Sequence, residues 1–267
     1  MTLFAEEGGH GPDLLVLLHG LGATGAVWQP LLELIAAPAS SAALPRKWPG
    51  RWLMLDLPGH GESAAQVKYA LDDIATSIAR AVIPRADPAG RIVVLGHSLG
   101  GAIGLALASG QCGMQPARVF GVGIKVVWSD EDLQRLGAIA SQPRRKFSTE
   151  PEARERFLKV SGLSGLVDAR SPILARGIVR ESPLQGQPAS WCLAMDPAAN
   201  GVGRPPFAQL IAAARCPVHL ACGREDPLVT LDQLRSVDPA AVHLEARGHN
   251  AMIEAPAVLW EWLAARL

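Results

Sequence analysis

The sequence predicts an α/β protein with a doubly wound, mostly parallel sheet and an inserted helical cap. Three observations lead to this fold class. Short apolar runs alternate with helix-like segments, as expected for a sheet that is covered on both faces. Glycine-rich turns follow several of the apolar runs. Residues 129–206 differ from the rest, because their pattern is mostly helical and is interrupted by prolines.

The elements follow one another in a regular order. Apolar runs predict strands at 14–18, 51–57, 91–95, 118–128, 217–222 and 241–246. Helical periodicity predicts helices at 26–37, 70–83, 99–109 and 257–267, and residues 38–50 read as a loop. We therefore expect residues 1–128 and 207–267 to form the core. Residues 129–206 would form a cap over the carboxyl edge of the sheet, where ligands bind in open α/β folds.

The cap is predicted to hold helices at 130–141, 149–161 and 171–181. Thr149 and Glu152 have the spacing of a capping box, which starts the second of these helices. The segment carries 11 basic and 9 acidic residues, so it is nearly neutral. We interpret these charges as solvent-facing helix surfaces rather than as an anion-binding site.

Composition limits the partners that the chain can have. Its 25 basic and 25 acidic residues give a net charge of zero, so no global positive field attracts nucleic acid or an anionic membrane. The hydrophobic fraction of 49% and the mean hydropathy of +0.18 suit a globular protein and argue against disorder. We expect a small-molecule substrate, with neither nucleic acid nor membrane as a partner.

The N-terminal residues and the cysteines predict a cytoplasmic location. Glu6 and Glu7 stand where a secretory signal needs apolar residues, and the early apolar run at 14–18 is too short to cross a membrane. The four cysteines form no C-x-x-C pair and are expected to be reduced thiols. No spacing of histidines and cysteines indicates a metal site, so we expect neither a metal nor a cofactor.

A candidate nucleophile lies at Ser98, the centre of a G-x-S-x-G motif at residues 96–100. The motif follows a predicted strand and precedes a predicted helix, which is the setting that a nucleophile turn requires. Such a turn strains the serine backbone and leaves room only for glycine at the flanking positions. The helix that follows points its N-terminus at the site, where backbone amides can bind an oxyanion.

A serine hydroxyl needs a general base to act as a nucleophile. Of the seven histidines, His249 is the best candidate, because it lies in a loop after the last predicted strand, at the same sheet edge as Ser98. The orienting carboxylate is predicted to be Asp226, in the loop after strand 217–222, with Glu225 and Asp130 as alternatives. The order Ser98, Asp226, His249 is the one typical of α/β hydrolases.

The second oxyanion donor should come from the glycine-rich loop after the first strand. We assign the two donors to the backbone amides of Leu21 and Leu99. His19, His60 and Asp56 are expected to bond loop backbone near the site rather than to take part in chemistry.

Five ordered motifs make the chain similar to α/β-hydrolase-fold serine hydrolases of the capped esterase and lactonase type. They are H-G-L-G-A-T-G-A-V-W (19–28), D-L-P-G-H-G-E-S (56–63), G-H-S-L-G-G (96–101), G-R-E-D-P-L-V (223–229) and G-H-N (248–250). The resemblance covers about two-thirds of the chain. It implies Asp226 as the acid, His249 as the base and residue 21 as an oxyanion donor. It is specific for the fold and a serine nucleophile but not for a substrate.

The resemblance implies hydrolysis of an ester, thioester or lactone through an acyl-enzyme. Dehalogenases and epoxide hydrolases of this fold carry an aspartate at the nucleophile position. This chain has Ser98 there, which argues against both reactions. Carbon–carbon hydrolysis, aminopeptidase action and perhydrolysis on the same triad stay open, as does a non-catalytic binder of a small ligand.

Three tryptophans could contribute to a substrate pocket. Trp28, Trp128 and Trp191 are candidates for lining an acyl pocket, with core packing as the alternative. We assign Trp28 and Trp128 to substrate binding.

Residues 20–25 also match G-x-G-x-x-G, the dinucleotide fingerprint. No acidic residue occurs at 36–50, where a ribose ligand is needed, so we favour the hydrolase interpretation.

Overall fold

The computed structural model describes residues 2–36, 47–182, 188–245 and 247–267. Most of the predicted loop at 38–50 lies outside these residues, as does residue 246 at the end of the last predicted strand. In the described residues the strands are β1 (Ala5–Gly9), β2 (Leu14–Leu18), β3 (Arg51–Leu55), β4 (Ile92–His97), β5 (Arg118–Val122), β6 (Lys146–Phe147), β7 (Ile178–Glu181), β8 (Ser190–Leu193), β9 (Val218–Gly223) and β10 (Val242–Leu244). The helices are α1 (Gln29–Ala36), α2 (Leu71–Val82), α3 (Leu99–Ala108), α4 (Asp130–Ala140), α5 (Glu150–Val160), α6 (Phe207–Ala213), α7 (Leu231–Arg235), α8 (Ala251–Glu254) and α9 (Pro256–Ala264).

Within the described residues, the main sheet has seven strands in the order β1-β3-β2-β4-β5-β9-β10. β1 is antiparallel to β3, and the other neighbouring pairs are parallel. The predicted α/β class with a mostly parallel sheet is confirmed. β1 has no signal in the sequence, because Glu6 and Glu7 interrupt any apolar run and the strand lies at the edge of the sheet.

Apolar clusters cover both faces of the sheet and explain its continuous apolar strands. All five residues of β2 are buried. Val16 packs in one cluster with residues of α2 and α3, and Leu15 packs in the other with residues of α1 and α9. Each fully buried leucine or valine contributes about 1.5–3 kcal/mol relative to an exposed side chain. The helices therefore hold the sheet from both sides and leave its carboxyl edge free for a site.

β5 ends earlier than predicted. The sequence indicates a strand over 118–128, but the strand stops at Val122, and Gly123 adopts a φ of 63°. A Cβ atom on Gly123 would lie 3.1 Å from the His249 ring. The strand ends here because the turn at Gly123 makes room for His249.

The chain leaves the sheet between β5 and β9 and forms α4, α5, α6 and a second, antiparallel sheet in the order β6-β8-β7. The predicted capping box is confirmed. The Thr149 hydroxyl accepts a hydrogen bond from the Glu152 amide, and the Glu152 carboxylate accepts one from the Thr149 amide. The described helices include none with both the length and the apolar composition of a membrane span.

The predicted third helix at 171–181 is wrong, and the mostly helical insertion also contains a small sheet. A short 3₁₀ turn occupies Pro172–Leu174, and the chain then enters β7. Ile178 and Val179 are β-branched and pair with Leu193 and Cys192 of β8. The pairing partner lies beyond residue 189, so a local helical pattern could not reveal it.

Candidate active site

Ser98 lies in the sharp turn between β4 and α3. Its φ of 50° and ψ of −113° make it the one non-glycine residue with positive φ among the described residues. A Cβ on Gly96 would lie 2.3 Å from the Gly100 carbonyl oxygen, and a Cβ on Gly100 would lie 2.2 Å from that of Leu18. Only glycine fits at either position, as the motif predicts. The strained turn presents Ser98 at the carboxyl edge of the sheet.

His249 and Asp226 meet at this edge. His249 Nδ1 lies 2.8 Å from Asp226 Oδ2, and the Asp226 side chain is fully buried. The second carboxylate oxygen, Oδ1, accepts the amides of Leu228 at 2.8 Å and Val229 at 3.2 Å. A carboxylate held in this way accepts a hydrogen bond from Nδ1–H, so the proton stays on Nδ1 and His249 Nε2 keeps its lone pair.

The two alternative carboxylates do not contact His249. Glu225 is exposed, although it neighbours Asp226 in sequence. Asp130 has a side chain that is 90% exposed, and it pairs with Arg204 at 3.1 Å. Of the three predicted candidates, the structure therefore brings Asp226 alone to the imidazole.

His97 holds the loop that carries His249, a contact that sequence analysis missed. His97 Nε2 donates a hydrogen bond to the His249 carbonyl oxygen at 2.9 Å, and the two rings lie edge to face with centroids 4.6 Å apart. Burial lowers the pKa of His97 well below its ordinary value, so the ring is neutral. The contact joins positions 152 residues apart, and no local pattern could indicate it.

The loop after β2 is fixed by two groups from the chain segment that follows β3. The Gly22 amide donates to His60 Nε2 at 3.1 Å, and the Gly25 amide donates to Asp56 Oδ1 at 2.7 Å. His19 Nε2 in turn accepts the Leu57 amide at 2.8 Å. The predicted roles of the two histidines and of Asp56 in bonding loop backbone are confirmed.

Both loop histidines are neutral. Burial is the largest cause that lowers the pKa of His19 and the pKa of His60. His60 Nδ1 lies 3.0 Å from the Pro58 carbonyl oxygen, which can only accept, so the proton lies on Nδ1. His60 Nε2 is then free to accept from Gly22, and the loop around Leu21 has a defined position.

A cavity of about 330 Å³ lies over these groups. Ser98, His249, Leu21 and Leu99 all line it, so the predicted nucleophile, base and amide donors share one space. Asp226 lies behind His249 rather than in the wall. Among the described residues, no group of three or more His, Cys, Asp or Glu side chains could hold a metal ion.

One of the two predicted tryptophan contacts is wrong. Trp128 lines the cavity, but Trp28 does not. Trp28 is fully buried in the cluster that packs α1 and α9 against the sheet. The motif places Trp28 near the glycine-rich loop, but the short 3₁₀ turn Gly25–Trp28 directs its side chain into the core.

Comparison with known proteins agrees with this architecture. A family model described as "Alpha/beta hydrolase family" matches residues 15–262. A pimeloyl-[acyl-carrier protein] methyl ester esterase of Aeromonas hydrophila is 37% identical over 110 residues, which cover 40% of this chain and 36% of that protein. The esterase of the same name from Vibrio atlanticus is 35% identical over 150 residues, 56% of this chain and 44% of that protein. The chain thus spans less than half the length of these two relatives.

A solved structure shows the same fold. The thioesterase domain from the curacin biosynthetic pathway superposes with a TM-score of 0.73 at 21% sequence identity, over 98% of this chain and 94% of that domain. The family match runs from β2 to α9, so it includes the serine turn and the histidine loop. The chain therefore belongs to the alpha/beta hydrolase family.

Proposed function

We propose that this chain hydrolyses a carboxylic ester, thioester or lactone through Ser98, His249 and Asp226. One observation carries the proposal: an imidazole held by a buried carboxylate at 2.8 Å shares a cavity with a serine in a strained turn. Two relatives that are named as methyl ester esterases support the same reaction class.

The first half of the reaction forms an acyl-enzyme. Ser98 Oγ attacks the carbonyl carbon while His249 Nε2 takes the hydroxyl proton, and Asp226 stabilises the resulting imidazolium. His249 then gives this proton to the leaving oxygen or sulfur as the bond to the acyl carbon breaks. A buried carboxylate suits this role, because the low dielectric around it strengthens its attraction to the positively charged ring.

The negative charge of the tetrahedral intermediate falls on the former carbonyl oxygen. We assign its stabilisation to the amides of Leu21 and Leu99. Leu99 is the first residue of α3, where amides have no partner inside the helix and the helix dipole favours an anion. Leu21 stands beside Gly22, whose amide His60 fixes.

The second half of the reaction uses water. His249 removes a proton from the water, the resulting hydroxide attacks the acyl carbon, and the bond to Ser98 Oγ breaks as His249 returns the proton. The products are the free acid and the restored serine. Every group that moves a proton in this scheme faces the same cavity.

We further propose that residues 129–206 act as a lid on the site and set the choice of substrate. Residues of α4, the end of α5 and the segment 199–205 supply part of the cavity wall. The proposed location of the enzyme is the cytoplasm, which the four free cysteines support.

A series of p-nitrophenyl esters with two to sixteen acyl carbons tests the proposal. Ser98→Ala should lower kcat by ~10⁴–10⁶-fold, as triad removals do. Ser236→Ala serves as the matched control, since Ser236 is exposed and bonds only within its own turn at Gln233. Wild-type turnover in Ser98→Ala, or no hydrolysis by the wild type of these esters or of the matching thioesters and lactones, would refute the proposal. The latter result would favour one of the rival chemistries or a binding protein.

A further inference from the structure

The cavity wall is divided into an apolar part and a charged part. Ile124 and Phe207 are among its buried apolar residues. The side chains that reach solvent include Lys125, Arg135 and Lys159, which are 24%, 71% and 59% exposed. These three residues, which we call the cationic rim, therefore lie where the cavity opens.

The cationic rim gives the cavity a local positive charge in a chain of zero net charge. Of the described residues that line the cavity, Asp132 is the single acidic one, against three cations. Burial keeps His97, which also lines it, neutral by lowering its pKa. A cleft with charges of one sign and low-dielectric walls focuses its field and attracts ligands of the opposite sign.

Asp132 organises two of the rim cations rather than cancelling them. Its Oδ2 lies 2.6 Å from Lys125 Nζ, and its Oδ1 lies 2.6 Å from Arg135 Nη2. One carboxylate thus holds two cations side by side and uses one donor of each. An ammonium has three donors and a guanidinium has five, so both can bond a further anion. Lys125 is also held over the Trp128 ring, with Nζ 4.9 Å from the ring centroid.

Lys159 adds a third cation from another helix, α5. It pairs with Glu155 at 2.7 Å, but Glu155 is 68% exposed and does not line the cavity. Such an exposed ion pair is weak, so an incoming anion competes with it easily.

We propose that the preferred substrate carries an anionic group, a carboxylate or a phosphate, at the end remote from the scissile carbonyl, and that the cationic rim binds it. This inference rests on the proposed function. An apolar chain would fill the buried part of the cavity, while the anion would stay at the opening, because an unpaired charge is costly in an apolar wall. Arg135 can bond either oxyanion with two parallel N–H groups.

The proposal adds a ligand-binding role for part of the insertion, whose charges the sequence predicts to face solvent. Charges such as Arg156 fit that interpretation, since Arg156 is exposed and lies outside the cavity. Arg135 and Lys159 belong to the same insertion but face the substrate space. Sequence alone does not distinguish them, because both kinds occupy exposed helix positions.

Three p-nitrophenyl esters of one acyl length test the proposal. One chain ends in a methyl group, one in a carboxylate and one in a phosphate, and the length is the optimum of the neutral series. We expect kcat/KM to be at least about fivefold higher for one of the anionic esters than for the neutral ester. The anionic ester with the higher kcat/KM shows whether the cationic rim prefers a carboxylate or a phosphate. This preference should fall when salt is raised from about 0.1 M to 1 M, because the Debye length shortens from about 10 Å to 3 Å.

The assignment to the rim is tested with Arg135→Gln, Lys159→Gln and the double variant. Each should reduce the ratio of kcat/KM between anionic and neutral esters by about two- to fivefold, and the double variant should bring it close to one. Arg80→Gln, which removes an exposed cation from α2, should leave the ratio unchanged. A wild-type ratio near one for both anions, or an undiminished ratio in the double variant, overturns the inference. Hydrolysis of the neutral ester with no charge preference would leave the proposed function standing, whereas no hydrolysis at all would refute both.

Discussion

The Gly22 amide donates a hydrogen bond to Nε2 of His60 at 3.1 Å, and this bond joins the loop after β2 to the turn after β3. The turn after β3 also contacts the insertion. The Gly61 amide donates a hydrogen bond to the Ala194 carbonyl, and the Asp196 amide donates one to the Gly59 carbonyl. The position of the proposed amide donor at Leu21 therefore depends on a buried, neutral histidine that does not line the cavity.

His60→Ala should reduce kcat while KM changes little. Removing an oxyanion donor typically costs about 10²–10³-fold in kcat, and displacing its loop should cost about tenfold or more. His60→Gln should restore most of this loss, because its side-chain oxygen can accept from the Gly22 amide. His10→Gln, at an exposed N-terminal position, is the control. Equal kcat in His60→Ala and the wild type, with both folded by circular dichroism, would show that this bond does not support the donor.

Asp226→Asn should lower kcat by ~10⁴-fold, because an amide cannot hold His249 in the tautomer that leaves Nε2 free. The structure predicts little change for Glu225→Gln, since the neighbouring carboxylate is exposed. Steady-state kinetics on the best p-nitrophenyl ester compare the two variants. If Glu225→Gln were the more damaging change, the assignment of the acid would be wrong.

The parts of the candidate site that could be predicted from the sequence depend on local turns and on strand order. Ser98 needs glycine two residues before and after it, so its turn is visible in five letters of sequence. His249 and Asp226 follow strands of a parallel sheet, whose carboxyl ends meet at one edge. Their meeting could be predicted from topology without knowing any distance.

The features that sequence analysis missed depend on pairing between distant segments. β7 forms against β8, and His97 bonds a carbonyl at residue 249. Trp28 lies near the right loop, but the face that it presents is set by packing of α1 and α9. Arg176 resembles any charge on a helix surface until the fold places it beside Asp56.

Arg176→Met should destabilise the protein by about 3–5 kcal/mol, because it leaves Asp56 buried without its cation. Arg176 Nε lies 3.3 Å from Asp56 Oδ2, the aspartate side chain is fully buried, and Arg176 also contacts Glu6. Urea unfolding gives the free energy directly. Arg156→Met, an exposed position on α5, should change it by less than about 0.5 kcal/mol. A loss for Arg176→Met no larger than that of Arg156→Met would show that the buried pair contributes nothing.

Stability should fall as the pH drops below about 6.5. Burial lowers the pKa of His19, His60 and His97 in the folded protein, so below 6.5 the unfolded chain binds protons that the folded chain does not. The stabilisation is complete above the unfolded pKa and is lost as pH falls from there toward the folded values, at up to about 1.4 kcal/mol per pH unit for each histidine. Urea unfolding between pH 7.5 and 5.0 measures the slope, and His60→Gln should make it shallower because one titrating group is gone. A slope that is equally steep in His60→Gln would mean that His60 is not among the groups held neutral by the fold.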